Sequence, residues 1–279
     1  MSGFGGVVNK PTTADANGAR ADSPASDGGG SKAPGTATTA GGTAAHSVIT
    51  LQHSLGISPC GNKEHVVFSA PTTVAYPLGK QIVFHDILSG EMRYLARSRT
   101  ARTVTAMAID STLASLAVCE KSSSDARAQI HIIHCSMMKK TRTISSQVPG
   151  DIVGCAFASS GSRELVTLSF TEDDYVLTVW KWAQSKVIAS VAANVSVQAG
   201  NSIRRIRFKP NDTVVTTSGA NHLRLWTVDA PNGTLKSVPL LPLKREHDDF
   251  IEQVWLKSND CLVVVTKERI LSFTVNAEG

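Results

Sequence analysis

Residues 203–226 read IRRIRFKPNDTVVTTSGANHLRLW. Three apolar runs stand in this stretch: Ile203/Ile206/Phe208, Val214–Thr217 and Leu223–Trp226, with Pro210-Asn211-Asp212 between the first and the second. Arg205, Arg207 and Lys209 alternate with Ile206 and Phe208. That period of two suits a strand with one buried face, and Pro, Asn and Asp are turn formers. The stretch reads as consecutive short strands with no helical period.

Working outward, the same phrase recurs. Runs like the one closing at Trp226 close also at Phe84, Ile133, Trp180 and Phe273, and in chain order these ends lie 49, 47, 46 and 47 residues apart. Runs like the one opening at Ile203 open also at Val104, Ile152 and Ile251, with separations of 48, 51 and 48. Each is followed by a turn (Asp110-Ser111, Ser159-Ser160-Gly161, Ser258-Asn259-Asp260) and a third run near Leu116–Cys119, Leu165–Ser169 or Leu262–Thr266. Two strand types keeping one period near 48 mark a repeat, and a four-stranded unit of roughly 40–50 residues is a β-propeller blade. One such sheet cannot cover both of its faces, so the units must stack.

Residues 1–47 stand apart, holding 10 of the 21 Gly, 10 Ala and one aromatic, Phe4. Such a composition cannot bury enough apolar surface to offset ordering entropy, so a disordered tail is expected there. The remaining 232 residues hold a little under five periods, with units expected near 48–97, 98–145, 146–195, 196–244 and 245–279. The expected fold class is therefore all-β, a propeller of about five blades. It is either a five-bladed closure or, the favoured reading, an open arc whose end blades another chain or missing sequence would cap.

Composition closes off other classes. With 42% apolar and 18% charged residues, and no apolar run near the roughly 18 residues of a membrane span, neither a disordered chain nor a membrane protein is expected. A net charge of +5 is too sparse for a dedicated nucleic-acid binder. Five cysteines without C-x-x-C spacing support neither a zinc site nor a disulfide framework, and no secretory signal opens the chain, so an intracellular protein is expected.

The repeats resemble degenerate WD repeats. Leu223-Arg224-Leu225-Trp226 stands where that family's strand ends in Trp, His85-Asp86 stands where Trp-Asp is usual, and His247-Asp248-Asp249-Phe250 resembles the segment leading into the innermost strand. The family's bracing His and Asp are absent from most units. A more specific series runs from Gly56-Ile57-Ser58 through Val66-Val67-Phe68, Thr73–Gly79 and Val104–Ile109 to Thr178–Trp182. In order and spacing it resembles the first propeller of the cilia- and flagella-associated protein 57 family of axonemal WD-repeat proteins, over about residues 55–275. The resemblance implies a non-enzymatic scaffold in the cytoskeleton of a cilium or flagellum. Its implied partners are tubulin, dynein-arm or adaptor subunits, with no nucleic acid and no membrane. The alternative is a WD-repeat adaptor of a soluble complex, such as a ubiquitin-ligase substrate receptor or a trafficking coat.

No catalytic, phosphate-loop or dinucleotide motif is present, and no cofactor or metal is expected. His131 and His134 are three apart in a strand and point to opposite faces, so they cannot share an ion. Three basic groups are expected near blade rims: Arg97, Arg99 and Arg102; Lys139, Lys140 and Arg142; Arg205, Arg207 and Lys209. They read either as contacts to an acidic partner such as the tubulin surface or as solvated charge that keeps β edges from pairing. Trp180 and Trp226, recurring at the blade period, are expected in the core. Trp182 is placed on the same side of its strand as Trp180, and Trp255 between blades or on a contact surface.

Overall fold

The computed structural model describes residues 65–95, 102–121, 127–159, 163–210, 214–240, 248–256 and 260–274, all within one unit, Gln52–Gly279. The expected tail, the start of the first unit, Arg97, Arg99 and His247 lie outside the described residues. Nineteen strands and two single 3₁₀ turns make up the described secondary structure. No helix among the described residues is long and apolar enough to cross a membrane.

The strands form five antiparallel sheets, each a meander of consecutive strands. The first holds β1 (Val67–Phe68), β2 (Thr73–Leu78), β3 (Gln81–Asp86) and β4 (Met92–Leu95); the second β5 (Val104–Ile109), β6 (Ser115–Glu120), β7 (Gln129–His134) and β8 (Lys139–Ser145). The third holds β9 (Asp151–Phe157), β10 (Glu164–Phe170), β11 (Tyr175–Lys181) and β12 (Lys186–Ala192). The fourth holds β13 (Arg205–Phe208), β14 (Val214–Gly219), β15 (His222–Asp229) and β16 (Thr234–Pro239). The fifth has three described strands, β17 (Phe250–Leu256), β18 (Cys261–Thr266) and β19 (Ile270–Thr274). Sheet contacts sheet in chain order, and the opening strands β1, β5, β9, β13 and β17 line up beside one another. The result is an open stack of propeller blades.

Four apolar clusters fill the four gaps. Ile82 and Phe84 meet Met107 and Leu116 between the first and second sheets, and Ile130 and Ile132 meet Leu165 and Trp180 between the second and third. Leu177 and Val179 meet Phe208 and Trp226 between the third and fourth, and Leu223 and Leu225 meet Trp255 and Leu262 between the fourth and fifth. Each gap is a two-sided layer of the kind expected for stacked sheets. Gly154 allows one close approach: a Cβ there would sit 3.2 Å from Ile206 on the fourth sheet.

Within two sheets the tryptophan is braced identically. The Trp180 indole N–H donates to Thr167 Oγ1 at 2.8 Å, and the Trp226 indole N–H donates to Thr217 Oγ1 at 2.7 Å. Both indoles are almost fully buried, which requires that the N–H find an acceptor. The fourth sheet adds a member, His222, whose Nε2 lies 2.7 Å from Thr217 Oγ1. Burial, then the Arg224 charge, pushes the His222 pKa down to about 3, so a neutral imidazole shares the hydrogen bond with the Thr217 hydroxyl. In both sheets a strand threonine carries the brace.

One expectation is corrected. β11 ends at Lys181, and Trp182 opens a 3₁₀ turn, Trp182–Gln184, so it does not continue along the strand beside Trp180. The fourth strand expected in each unit is the outermost one, β4, β8, β12 and β16 in the first four sheets; the apolar runs did not mark these strands, and β8 and β16 face water along most of their length.

Candidate functional site

The opening strand β13 places Arg205, Arg207 and Lys209 on the face turned to the fifth sheet, while Ile206 and Phe208 enter the cluster shared with the third. The alternation is as the sequence reads, but the basic face is not on a rim. Arg205 Nε lies 2.7 Å from Glu252 Oε2, Arg207 approaches the same carboxylate at 3.9 Å, and Lys209 Nζ lies 3.5 Å from Asp260. Arg204 pairs with Asp249, which also accepts Lys267 at 3.0 Å. Burial lowers the Arg207 pKa from its ordinary value, and Glu252 opposes that shift. Lys209 also sits 6.0 Å above the Trp255 ring. These charges therefore join two sheets of one chain.

Trp255 belongs to the same gap. It is 7% exposed, and its indole N–H donates to Thr216 Oγ1 at 3.1 Å. Of the two placements open to it, the structure has the one between blades. Gln253 reinforces the contact by donating to the Thr216 carbonyl at 3.1 Å.

Lys139, Lys140 and Arg142 lie on the exposed outer strand β8 of the second sheet. Arg102 stands near the other end of that sheet. Its backbone N–H donates to Glu120 Oε2 at 3.1 Å, and its guanidinium donates to the Lys121 carbonyl at 3.1 Å. Glu120 also meets His131 Nε2 at 2.9 Å, and His131 Nδ1 lies 3.0 Å from Thr143 Oγ1. His131 is thus a buried structural group, while His134 contacts Ser136 at 3.2 Å on the surface. Among the described residues no group of His, Cys, Asp and Glu is arranged to hold a metal ion.

Two further surfaces stand out, the first not apparent in the sequence and the second an uncovered end blade of the kind an open arc implies. A cleft of about 510 Å³ opens between the second and third sheets on the rim formed by the β5–β6, β7–β8, β9–β10 and β11–β12 turns. The second is the outer face of the fifth sheet, where Val254, Leu256 and Ile270 are exposed beside half-buried Val263 and Val265.

No family model matches the chain. Among curated proteins, it is 25% identical over 179 residues to mouse cilia- and flagella-associated protein 44, a match that takes in 64% of this chain and 9% of that protein. The chain thus spans less than a tenth of that relative. Among solved structures, it is similar to U3-55K at a TM-score of 0.50 and 14% identity, covering 73% of this chain and 61% of that one. It is also similar to the WD40 repeats of RRP9, at a TM-score of 0.51 and 14% identity, over 73% of this chain and 60% of that one. These likenesses show the fold: the stacked sheets are WD40-type blades.

Proposed function

We propose that the chain is a non-enzymatic scaffold of the ciliary or flagellar axoneme, docking microtubule-associated complexes such as inner dynein arms. The observation that carries the reading is the match to a cilia- and flagella-associated protein over 64% of this chain. The motif order from Gly56 to Trp182, which resembles cilia- and flagella-associated protein 57, supports it independently. A stack of rigid sheets suits docking because it holds many turns in fixed relative positions.

Of the three basic groups, Lys139, Lys140 and Arg142 on β8 are the ones we assign to an acidic partner surface, since the β13 group is engaged within the fold. The outer face of the fifth sheet is assigned to a cap supplied by another chain or by further sequence. Six residues there, Val254, Leu256, Cys261, Val263, Val265 and Ile270, occupy the positions that sheets two to four turn toward their next neighbour.

The test is fractionation of tagged protein from ciliated cells. Retention with the detergent-extracted, salt-washed axoneme is expected. Release into the soluble fraction would overturn the axonemal reading and favour the soluble adaptor instead.

A further inference from the structure

The 510 Å³ cleft between the second and third sheets adjoins a second cleft of about 410 Å³ between the first and second. The two share Thr112, Ala114 and His134, so they form one groove along a single rim across three sheets. Their volumes lie in the range of binding clefts, roughly 300–1,000 Å³.

The groove has a defined chemistry. Arg93, Arg142 and Arg163 line it along with His134. Arg142 donates only a 3.3 Å hydrogen bond to Ser185, and Lys139 and Lys140 stand beside it on the exposed strand β8. The acid in the larger cleft is Asp110, whose oxygens already accept from Thr112 Oγ1 at 2.9 Å and the Ser115 N–H at 3.0 Å. Those bonds hold the carboxylate in its own turn, where it stands as one acid against the three arginines. The apolar wall is Phe157 against Trp182, edge to face at 5.9 Å between ring centres. The 3₁₀ turn that removes Trp182 from β11 is what brings it to this wall.

We infer that this groove binds an extended acidic peptide segment, its carboxylates meeting Arg142, Arg163 and Arg93 and one apolar or aromatic side chain packing on Phe157 and Trp182. Arginine forks pair with carboxylates in two-point geometry, and an aromatic wall rewards a side chain that plain charge attraction would ignore. A polynucleotide is the poorer fit: the arginines are few, and the wall is apolar rather than a continuous basic track. The inference rests on the reading of the chain as a binding scaffold and supplies the partner's chemistry.

The test uses the full chain and fluorescence anisotropy with a labelled Glu-rich peptide carrying one Phe. Controls are the same peptide with Phe→Ser, a Gly/Ser peptide and an oligo-uridylate. Arg142→Glu and Arg163→Glu are each expected to weaken binding about tenfold or more, as the loss of a charge-assisted contact would. Lys236→Glu, an equal charge change on β16 remote from the groove, should leave it within about twofold. The Phe→Ser peptide should bind more weakly, and Trp182→Ala should abolish that difference. Circular dichroism and the thermal midpoint establish that each variant is folded.

Absent binding of the acidic peptide overturns the inference. So does equal weakening by Lys236→Glu, indifference to Arg142→Glu and Arg163→Glu, or tighter binding of oligo-uridylate. Because the assay needs no cilium, its failure leaves the fractionation result standing, and failure of the fractionation leaves this one standing.

Discussion

The two faces of the fourth sheet solve the same problem by different means. Toward the third sheet, Ile206, Phe208, Val215 and Trp226 enter a continuous apolar cluster. Toward the fifth, Leu223 and Leu225 cover part of the gap, and the innermost strand presents Arg205, Arg207 and Lys209 to Glu252 and Asp260. Neighbouring threonines on β14 divide accordingly: Thr217 accepts the indole of its own sheet, Thr216 the indole of the next. The first gap is held by area removed from water, which salt does not weaken; the second adds charge pairs that salt and truncation can reach. One gap is apolar throughout its cluster, the other combines apolar cover with charge pairs.

The largest expected effect tests the apolar side. Trp226→Ala should cost about 3–5 kcal/mol in urea denaturation, the usual price of emptying a large aromatic site. Thr217→Val, which keeps the shape and strands the indole N–H, should cost about 1–3 kcal/mol. A loss below about 1 kcal/mol for Trp226→Ala would show that this gap is not the stronger one.

Acid should reach the same face through His222. Its pKa in the folded chain is about 3, against about 6.5 unfolded, so the unfolded chain binds the extra proton between those values. Stability from this group is complete above about pH 6.5 and is lost as pH falls toward 3, by about 2 kcal/mol at pH 5. His222→Gln should flatten that slope in denaturation curves recorded from pH 7 to 5. An unchanged slope would mean that His222 is not its source.

The charged side should yield less. Glu252→Gln leaves Arg205 largely buried beside a neutral amide, but the carboxylate itself is 40% exposed, so about 1–2 kcal/mol is expected rather than the full cost of a buried pair. Smallest is the salt effect. Raising the salt from 0.05 to 0.5 M should speed amide hydrogen exchange in β17–β19 while leaving β9–β15 unchanged. Uniform exchange across both regions would erase the contrast between the faces.

The three inner strands of each blade were legible because burial forces apolar residues into them at a constant interval. The outer strands were not: β8 exposes six of its seven residues and shows no apolar alternation. Along β13 the sequence showed which residues share a face but not what that face meets, because the partners belong to another sheet. A signal was nonetheless present. Glu252 lies 47 residues beyond Arg205 and Asp249 lies 45 beyond Arg204, close to one repeat in both cases. Acids one period downstream of bases are how stacked repeats write their own contacts. The groove left no such trace, since it depends on where the β11–β12 turn swings Trp182.

Among the described residues, every hydrogen-bonded ladder joins strands that follow one another along the chain. A ribosome therefore delivers both halves of each of these hairpins within seconds of each other, and none of the described strands waits for a distant mate. Each sheet can register itself as it emerges, leaving only its side-chain face to be matched with the sheet before it. Assembly is then vectorial, and the misfolding hazard concentrates at whichever sheet face is newest and still uncovered.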